Sequence, residues 1–167
     1  SLVAVGPIAL ERFAHSLERE KYGDLGGVEM PTQSRHTRNF VVGTIAGLEG
    51  YSLSDAVEHV RGLNLAVDEI NAGGGVSGRA VEIFAVTANL EDPSTVREAM
   101  GKLVAAGVDA IACSYVSAEN PFLLDLAADY GRPFLHLDTF HQHSQLVADA
   151  PARYEAIFQT CPTERVY

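Results

Sequence analysis

The sequence has little positive charge, no long apolar run and only two cysteines. Its 167 residues contain 12 lysines and arginines against 22 aspartates and glutamates, which gives a net charge of −10. This balance argues against a nucleic-acid partner, because phosphates require a basic face. No apolar run approaches the roughly 20 residues that span a bilayer, so we expect no membrane insertion. The opening residues lack the basic and apolar regions of a signal peptide, and a mature protein would have lost one.

Cys113 and Cys161 are predicted to follow two strands that have another strand between them. Strands two places apart in a sheet are separated by about 9–10 Å, whereas the Cα atoms of a disulfide lie within about 7 Å of each other. We therefore predict two free thiols, which fits a reducing compartment slightly better. A nucleophilic Cys113 is the alternative, but a cysteine at a strand end is more often a small buried apolar residue.

The apolar pattern alternates between strands and helices. Strand-like runs cover residues 39–45, 80–86, 108–113, 133–137 and 155–160. The first is nearly continuously apolar, as a parallel sheet buried on both faces requires. The first helix has an apolar stripe that includes Leu53, Val57 and Ile70, and the second has one from Val96 to Val104. Glycines at 73–75, 107 and 131 end the helices. The pattern predicts an α/β fold with a doubly wound parallel sheet.

Residues 1–38 do not follow this alternation. Leu10, Phe13 and Leu17 have helical spacing, and a polar linker follows them. We expect an accessory helix that covers an exposed face. A dimerisation or regulatory segment is the alternative.

Nucleotide-binding motifs are missing. Gly43, Gly47 and Gly50 do not have the spacing that brings a backbone up to a pyrophosphate, and there is no P-loop. A flavodoxin-like enzyme or a response regulator is a weaker alternative, since Cys113 and Ser114 stand where a phosphoacceptor domain should have an aspartate. We expect no cofactor and no enzymatic activity.

The helix-to-strand passage at residues 61–84 is the most specific part of the sequence. Its Gly62, Ala66, Ile70-Asn71-Ala72, Gly74-Gly75-Val76 and Gly78-Arg79 resemble the first such passage of type I periplasmic binding proteins, the family of leucine/isoleucine/valine-binding proteins and their amide-sensing relatives. The resemblance runs from residue 39 to residue 167. Members of this family have two lobes, so it implies that residues 39–167 form the N-terminal, Rossmann- or flavodoxin-like lobe and that the second lobe is absent.

The resemblance also implies a ligand site at the carboxyl ends of the strands, where doubly wound sheets bind ligands. After the third strand, Ser117 and the amides beside it would hold a ligand carboxylate, as the N-terminus of a helix can. After the fourth strand, a hydroxyl would meet the ligand's ammonium. The candidate residues are Tyr51, Asp55, Ser114, Ser117, Ala118, Asp138, Thr139 and Phe140.

Asp138 could pair with a cation or could be a solvated strand end. Together with Asp55 it suggests an amide, a cationic solute or a hydroxylated acid as the ligand, in preference to a plain aliphatic amino acid. His141-Gln-His143 could bind a metal with Asp138 or His136 as the third ligand. On an irregular loop, however, spacing does not fix ligand geometry, and we assign no metal ligand.

The resemblance implies a periplasmic or otherwise extracytoplasmic protein. It would be the binding component of an ABC-type uptake system, taking an amino acid, an amide or a related small polar solute by closure of two lobes. The partners would be that solute and an ABC transporter permease. A cytoplasmic ligand-sensing regulator of the same fold is the alternative. In either role, one lobe alone should bind its ligand weakly or not at all.

Overall fold

The computed structural model describes residues 38–47, 52–115 and 122–166. Strands and helices alternate along these segments, as the sequence predicts. The strands are β1 (Phe40–Gly47), β2 (Val81–Ala88), β3 (Ala110–Cys113), β4 (Phe134–His136) and β5 (Ile157–Gln159). The helices are α1 (Ser52–Ala72), α2 (Pro93–Ala106), α3 (Phe122–Tyr130) and α4 (His141–Asp149), and a 3-10 turn follows at Glu164–Val166. None of the described helices is long and apolar enough to cross a membrane.

The five strands form one sheet in the order β2-β1-β3-β4-β5. The pairs β1–β3, β3–β4 and β4–β5 are parallel, with Val42 opposite Ala110, Cys113 opposite His136, and His136 opposite Gln159. The order reverses at β1, because the chain adds β2 on one side and then β3 on the other. The predicted doubly wound sheet is confirmed, and its switch point lies between β1 and β3.

The described residues divide into two compact units, and the larger comprises residues 41–62 and 83–166. Its core is one apolar cluster in which Leu103, Ile111 and Phe134 are completely buried. Helix α2 begins at Asp92, whose carboxylate accepts a hydrogen bond from the amide of Ser94, and ends at Gly107 in the left-handed region. The end of α2 therefore follows the predicted glycine stop, and its start has an aspartate cap.

The smaller unit comprises residues 38–40 and 63–82 in the described part, and it holds the passage that carries the family resemblance. The Asn71 side chain bonds both the amide of Val81, at 2.7 Å, and its carbonyl, at 2.9 Å. Gly75 has a φ of +78°, and a Cβ atom there would overlap the carbonyl oxygen of Arg79. The Arg79 guanidinium donates to the carbonyls of Arg38 and Asn39. These residues stabilise the local backbone, which explains their identity in physical terms.

Three sequence predictions about the helices are wrong. Leu53 and Val57 were expected on the buried stripe of α1 but are 48% and 42% exposed, and Val104 of α2 is 44% exposed. The stripe shows which face of a helix is apolar, but not how far other elements cover it. The segment after β4 was expected to be an irregular loop, whereas residues 141–149 form helix α4.

Candidate functional site

The carboxyl ends of β3 and β4 bring four of the predicted site residues to one edge of the sheet. The pairing of the two strands continues past their ends, since the amide of Leu137 donates to the carbonyl of Ser114 at 3.2 Å. Ser114 and Asp138 are buried, with exposed fractions of 6% and 1%. Thr139 and Phe140 are partly exposed. The edge thus presents a hydroxyl and an aromatic ring above buried polar groups.

The other predicted site residues have different outcomes. Asp55 lies in the first turn of α1 and is exposed. Tyr51, Ser117 and Ala118 lie outside the described residues. Their roles, and the ligand contacts assigned to the edge residues, stay predictions.

Asp138 is the centre of a buried polar cluster, so the alternative of a solvated strand end is wrong. Its Oδ1 accepts a hydrogen bond from Nδ1 of His143 at 2.9 Å. Its Oδ2 lies 2.8 Å from Nδ1 of His136. Both imidazoles are buried as completely as the carboxylate. We call these three side chains the His136–Asp138–His143 cluster.

Helix α4 explains why this cluster differs from the histidine pair that the sequence suggested. His143 lies in its first turn and points into the protein, whereas His141 is only partly buried and is not in the cluster. The second histidine comes from β4, since His136 is the last residue of that strand. The sequence indicated all of these residues as possible metal ligands. It could not show which histidines lie beside Asp138, because helix α4 was not predicted. Phe140, the residue before α4, packs its ring edge-on against the His143 ring, with 5.6 Å between the ring centroids.

The cluster is held in place by the end of β5. The carboxamide of Gln159 donates to the backbone carbonyl of Asp138 at 2.8 Å and accepts a hydrogen bond from the Ser144 hydroxyl. Thr160 donates to the carbonyl of His136 through both its amide and its hydroxyl, each at 2.9 Å. These bonds fix the backbone positions from which the cluster side chains project.

The electrostatics of the cluster favour an ionised carboxylate. Burial alone would raise the pKa of Asp138, but the contacts with His136 and His143 outweigh burial and hold that pKa below its ordinary value. Three buried atoms nevertheless have no hydrogen-bond partner: Nδ1 of His136, Oδ2 of Asp138 and Nε2 of His143. The first two lie 2.8 Å apart, at ion-pair distance but outside hydrogen-bond geometry, and hydrogen bonds weaken steeply with misalignment. Three ligand atoms, one from each side chain, lie within 4.8 Å of one another, so the cluster could hold a metal ion.

A second polar cluster, which the sequence did not reveal, lies at the switch point. Nε2 of His59 on α1 is 3.2 Å from the Thr44 hydroxyl of β1 and 3.1 Å from the Ala112 carbonyl of β3. A carbonyl only accepts hydrogen bonds, so this nitrogen carries the proton. Burial lowers the pKa of His59, and the bond to Ala112 opposes that shift only in part. A neutral imidazole therefore ties together the two strands that flank the switch point.

Cys113 and Cys161 are both free thiols, as predicted. Cys113 is the last residue of β3 and Cys161 follows β5, and β4 lies between these strands as the prediction required. Burial raises the pKa of the Cys113 thiol to about 12, despite hydrogen bonds from the Ile45 backbone and the Thr44 side chain. Because the thiolate is the nucleophile, this environment argues against the alternative of a reactive Cys113.

Comparisons with known proteins agree with this fold. Residues 40–165 match the family model described as periplasmic binding protein. A solved structure from Silicibacter pomeroyi, of a protein assigned as a branched-chain amino acid ABC transporter, is 32% identical over 78% of this chain, with a TM-score of 0.71. The branched-chain amino acid transporter substrate binding protein LivJ from Streptococcus pneumoniae, solved with isoleucine, is 20% identical over 75% of this chain, with a TM-score of 0.61. The second likeness concerns the fold alone.

The chain covers 33% and 34% of those two structures, about a third of each. No curated protein matches the chain.

Proposed function

Because the chain belongs to the periplasmic binding protein family, we propose that it forms part of a solute-binding protein and contributes the carboxyl edge of its sheet to the ligand site. The observation that carries this proposal is that residues 40–165, which match the family, include the whole described sheet and its polar edge. The edge offers hydroxyls and an aromatic ring, and the one buried thiol near it has a raised pKa. This composition suits binding better than covalent catalysis.

An amino acid or its amide is the ligand class that we favour. The 32% identical relative is assigned to branched-chain amino acid transport. Asp138, which suggested a cationic solute, has both carboxylate oxygens turned toward buried histidines and is 1% exposed. It therefore offers no exposed carboxylate to the ammonium group of a solute. Thr139 and Ser114 remain as neutral polar groups at the same edge, and these match the uncharged dipoles that a zwitterion or an amide needs.

Binding would be completed by a second lobe. We propose that the ligand is held between two lobes, that it stabilises their closed arrangement, and that the closed form delivers it to an ABC transporter permease outside the cytoplasm. A complete site with micromolar affinity corresponds to about −8 kcal/mol, and half of that corresponds to a dissociation constant near millimolar. The 167-residue chain should therefore bind weakly.

Titration of the 15N-labelled chain, followed by amide chemical shifts, tests this proposal. L-isoleucine and L-isoleucinamide should shift the signals of Ser114 and Thr139, with dissociation constants near millimolar, and L-lysine should shift them less. Thr139→Val should weaken binding several-fold because it removes the edge hydroxyl. Thr87→Val is the matched control, since Thr87 is an exposed threonine on β2, from which β4 is separated by two strands.

Two outcomes would contradict the proposal. Equal weakening by both threonine variants would mean that the ligand does not bind at the β3–β4 edge. Tighter binding of lysine than of isoleucine would show that a carboxylate at the edge is available to cations, and the ligand class would have to be changed.

A further inference from the structure

The His136–Asp138–His143 cluster has an unusual combination of burial and missing partners. Its side chains are exposed by 1% or less. Buried polar groups are almost always hydrogen-bonded, because an unpaired one costs about 1–3 kcal/mol. Here three atoms of three adjacent residues lack partners. Two of them, Nδ1 of His136 and Oδ2 of Asp138, lie 2.8 Å apart without hydrogen-bond geometry, which indicates that a further group belongs beside them.

From this geometry we infer that the cluster is a binding site for a divalent transition-metal ion, with Zn²⁺ as the chemical match. The ligand atoms would be Nδ1 of His136, Oδ2 of Asp138 and a ring nitrogen of His143. Two imidazoles and a carboxylate are ligands that Zn²⁺ prefers, whereas Mg²⁺ and Ca²⁺ require mainly oxygen.

The distances support a small ion. A tetrahedral Zn²⁺ with bonds of about 2.0–2.2 Å separates its ligand atoms by about 3.3 Å. The atoms of His136 and Asp138 are 2.8 Å apart, and all three ligand atoms lie within 4.8 Å of one another. Side-chain adjustments of about 0.5–1.5 Å would therefore bring all three atoms to the separation that one ion requires. Three protein ligands leave a fourth position for water or for another donor.

The supporting bonds are those that a metal site needs. Neighbouring groups that orient the ligands contribute strongly to metal affinity. The backbones of Asp138 and His136 are fixed by Gln159 and Thr160, and the His143 ring packs against Phe140. His136 and His143 thus lie on β4 and α4, and Asp138 lies on the short segment between them, whose backbone β5 holds in place.

NMR signals of the histidine ring nitrogens test this site directly in the wild-type chain. The chain would be treated with a chelator, and long-range 1H–15N correlation spectra of the imidazoles would be recorded as Zn²⁺ is added. The ring-nitrogen signals of His136 and His143 should change up to one equivalent of Zn²⁺, while those of His59 and His141 stay constant. Unchanged signals of His136 and His143 would overturn the inference and leave a purely hydrogen-bonded cluster.

Equilibrium dialysis followed by metal analysis gives the second test. The chain should retain one Zn²⁺, with Mg²⁺ in excess not competing. Asp138→Asn and His143→Gln should weaken retention by at least about tenfold, and His141→Gln, which changes the neighbouring histidine outside the cluster, should not. Circular dichroism checks that each variant folds. Retention that depends on His141, or that survives both cluster variants, would place the metal elsewhere and contradict the inference.

These readouts are independent of amino acid binding. If Zn²⁺ does not bind, the isoleucine titration still tests the proposed function. If isoleucine does not bind, the zinc experiments still test the metal site.

Discussion

Two polar clusters lie along the same sheet, one at the switch point and one at the end of β4, and they differ in how completely their polar atoms are hydrogen-bonded. At the switch point, the His59 ring nitrogen meets both the Thr44 hydroxyl and the Ala112 carbonyl. At the end of β4, the carboxylate of Asp138 meets two histidines, yet three buried atoms have no hydrogen-bond partner. One cluster is complete with its own residues, and the other is not.

The difference separates a structural role from a binding role. A hydrogen bond whose partners are all present contributes about 0.5–1.5 kcal/mol to stability, and it needs nothing more from outside. A buried group without a partner costs free energy, which the fold tolerates where a ligand will provide the missing contact. We therefore regard the Thr44–His59 pair as a tie between strands and the His136–Asp138–His143 cluster as a binding site. The predictions below test this distinction, from the largest change in the free energy of unfolding to the smallest.

Asp138→Ala should give the largest effect. It removes the carboxylate that lies between two buried histidines and should destabilise the chelator-treated chain by about 3–5 kcal/mol, as loss of one partner from a buried charged pair does. Urea unfolding followed by circular dichroism measures this, since the chain contains no tryptophan.

The control for this variant is Asp129→Ala. Asp129 is exposed and pairs with Arg153 at 3.2 Å, so its loss should cost less than about 1 kcal/mol. Equal costs of the two variants would mean that the buried cluster makes no special contribution to folding.

The fold was largely predictable because its signals are local. Asp92 and Gly107 mark the two ends of α2 at the residues that cap it. Helix α4 was missed for a physical reason: Phe140 precedes it without a side-chain cap bond, and His143 is the only buried residue among its nine. A helix with a weak apolar stripe and no capping side chain gives little periodic signal.

The site was predictable only in part. Parallel strands bring their carboxyl ends to one edge, so the sequence could place Ser114 and Asp138 near each other. It could not predict that Asp138 is buried, because that depends on α4 bringing His143 over the strand end. The His59 contact likewise joins residues far apart in sequence, and no motif marks it. Asn71 and Gly75, which carried the resemblance, stabilise the local backbone of the helix-to-strand passage.

His59→Leu should have the second-largest effect. Leucine fills a similar volume with an apolar side chain, but it leaves the Ala112 carbonyl and the Thr44 hydroxyl without the imidazole. The expected loss in the free energy of unfolding is about 1–3 kcal/mol. His141→Leu, at a partly exposed histidine of α4, should change stability by less than about 0.5 kcal/mol. If the two leucine variants unfold at the same urea concentration, the His59 contacts do not stabilise the fold.

The pH dependence of stability should reveal His59 as well. Burial lowers its folded-state pKa below the unfolded value of about 6.5. The unfolded chain therefore binds the proton first as the pH falls. The contribution of His59 is fully present above pH 6.5 and is lost as the pH falls from there toward the folded-state pKa, by at most about 1.4 kcal/mol per pH unit.

Comparing urea unfolding of the wild type and His59→Gln at pH 7.5 and 5.5 isolates this contribution, because the other histidines titrate in both. A stability difference between the two proteins that does not change with pH would contradict a lowered pKa.

Thr44→Val should have the smallest of these effects, and it tests most finely whether the switch-point cluster is only structural. Valine has the shape of threonine, so the completely buried position stays filled and only the hydroxyl is lost. His59 keeps its bond to the Ala112 carbonyl at 3.1 Å, so the cost should be about 1 kcal/mol, the net value of one hydrogen bond. In the double variant with His59→Leu, the cost of Thr44→Val should be smaller because one of the partners of the Thr44 hydroxyl is already gone, although its contact with Cys113 remains. Full additivity would mean that the 3.2 Å contact between the two side chains has no energetic value.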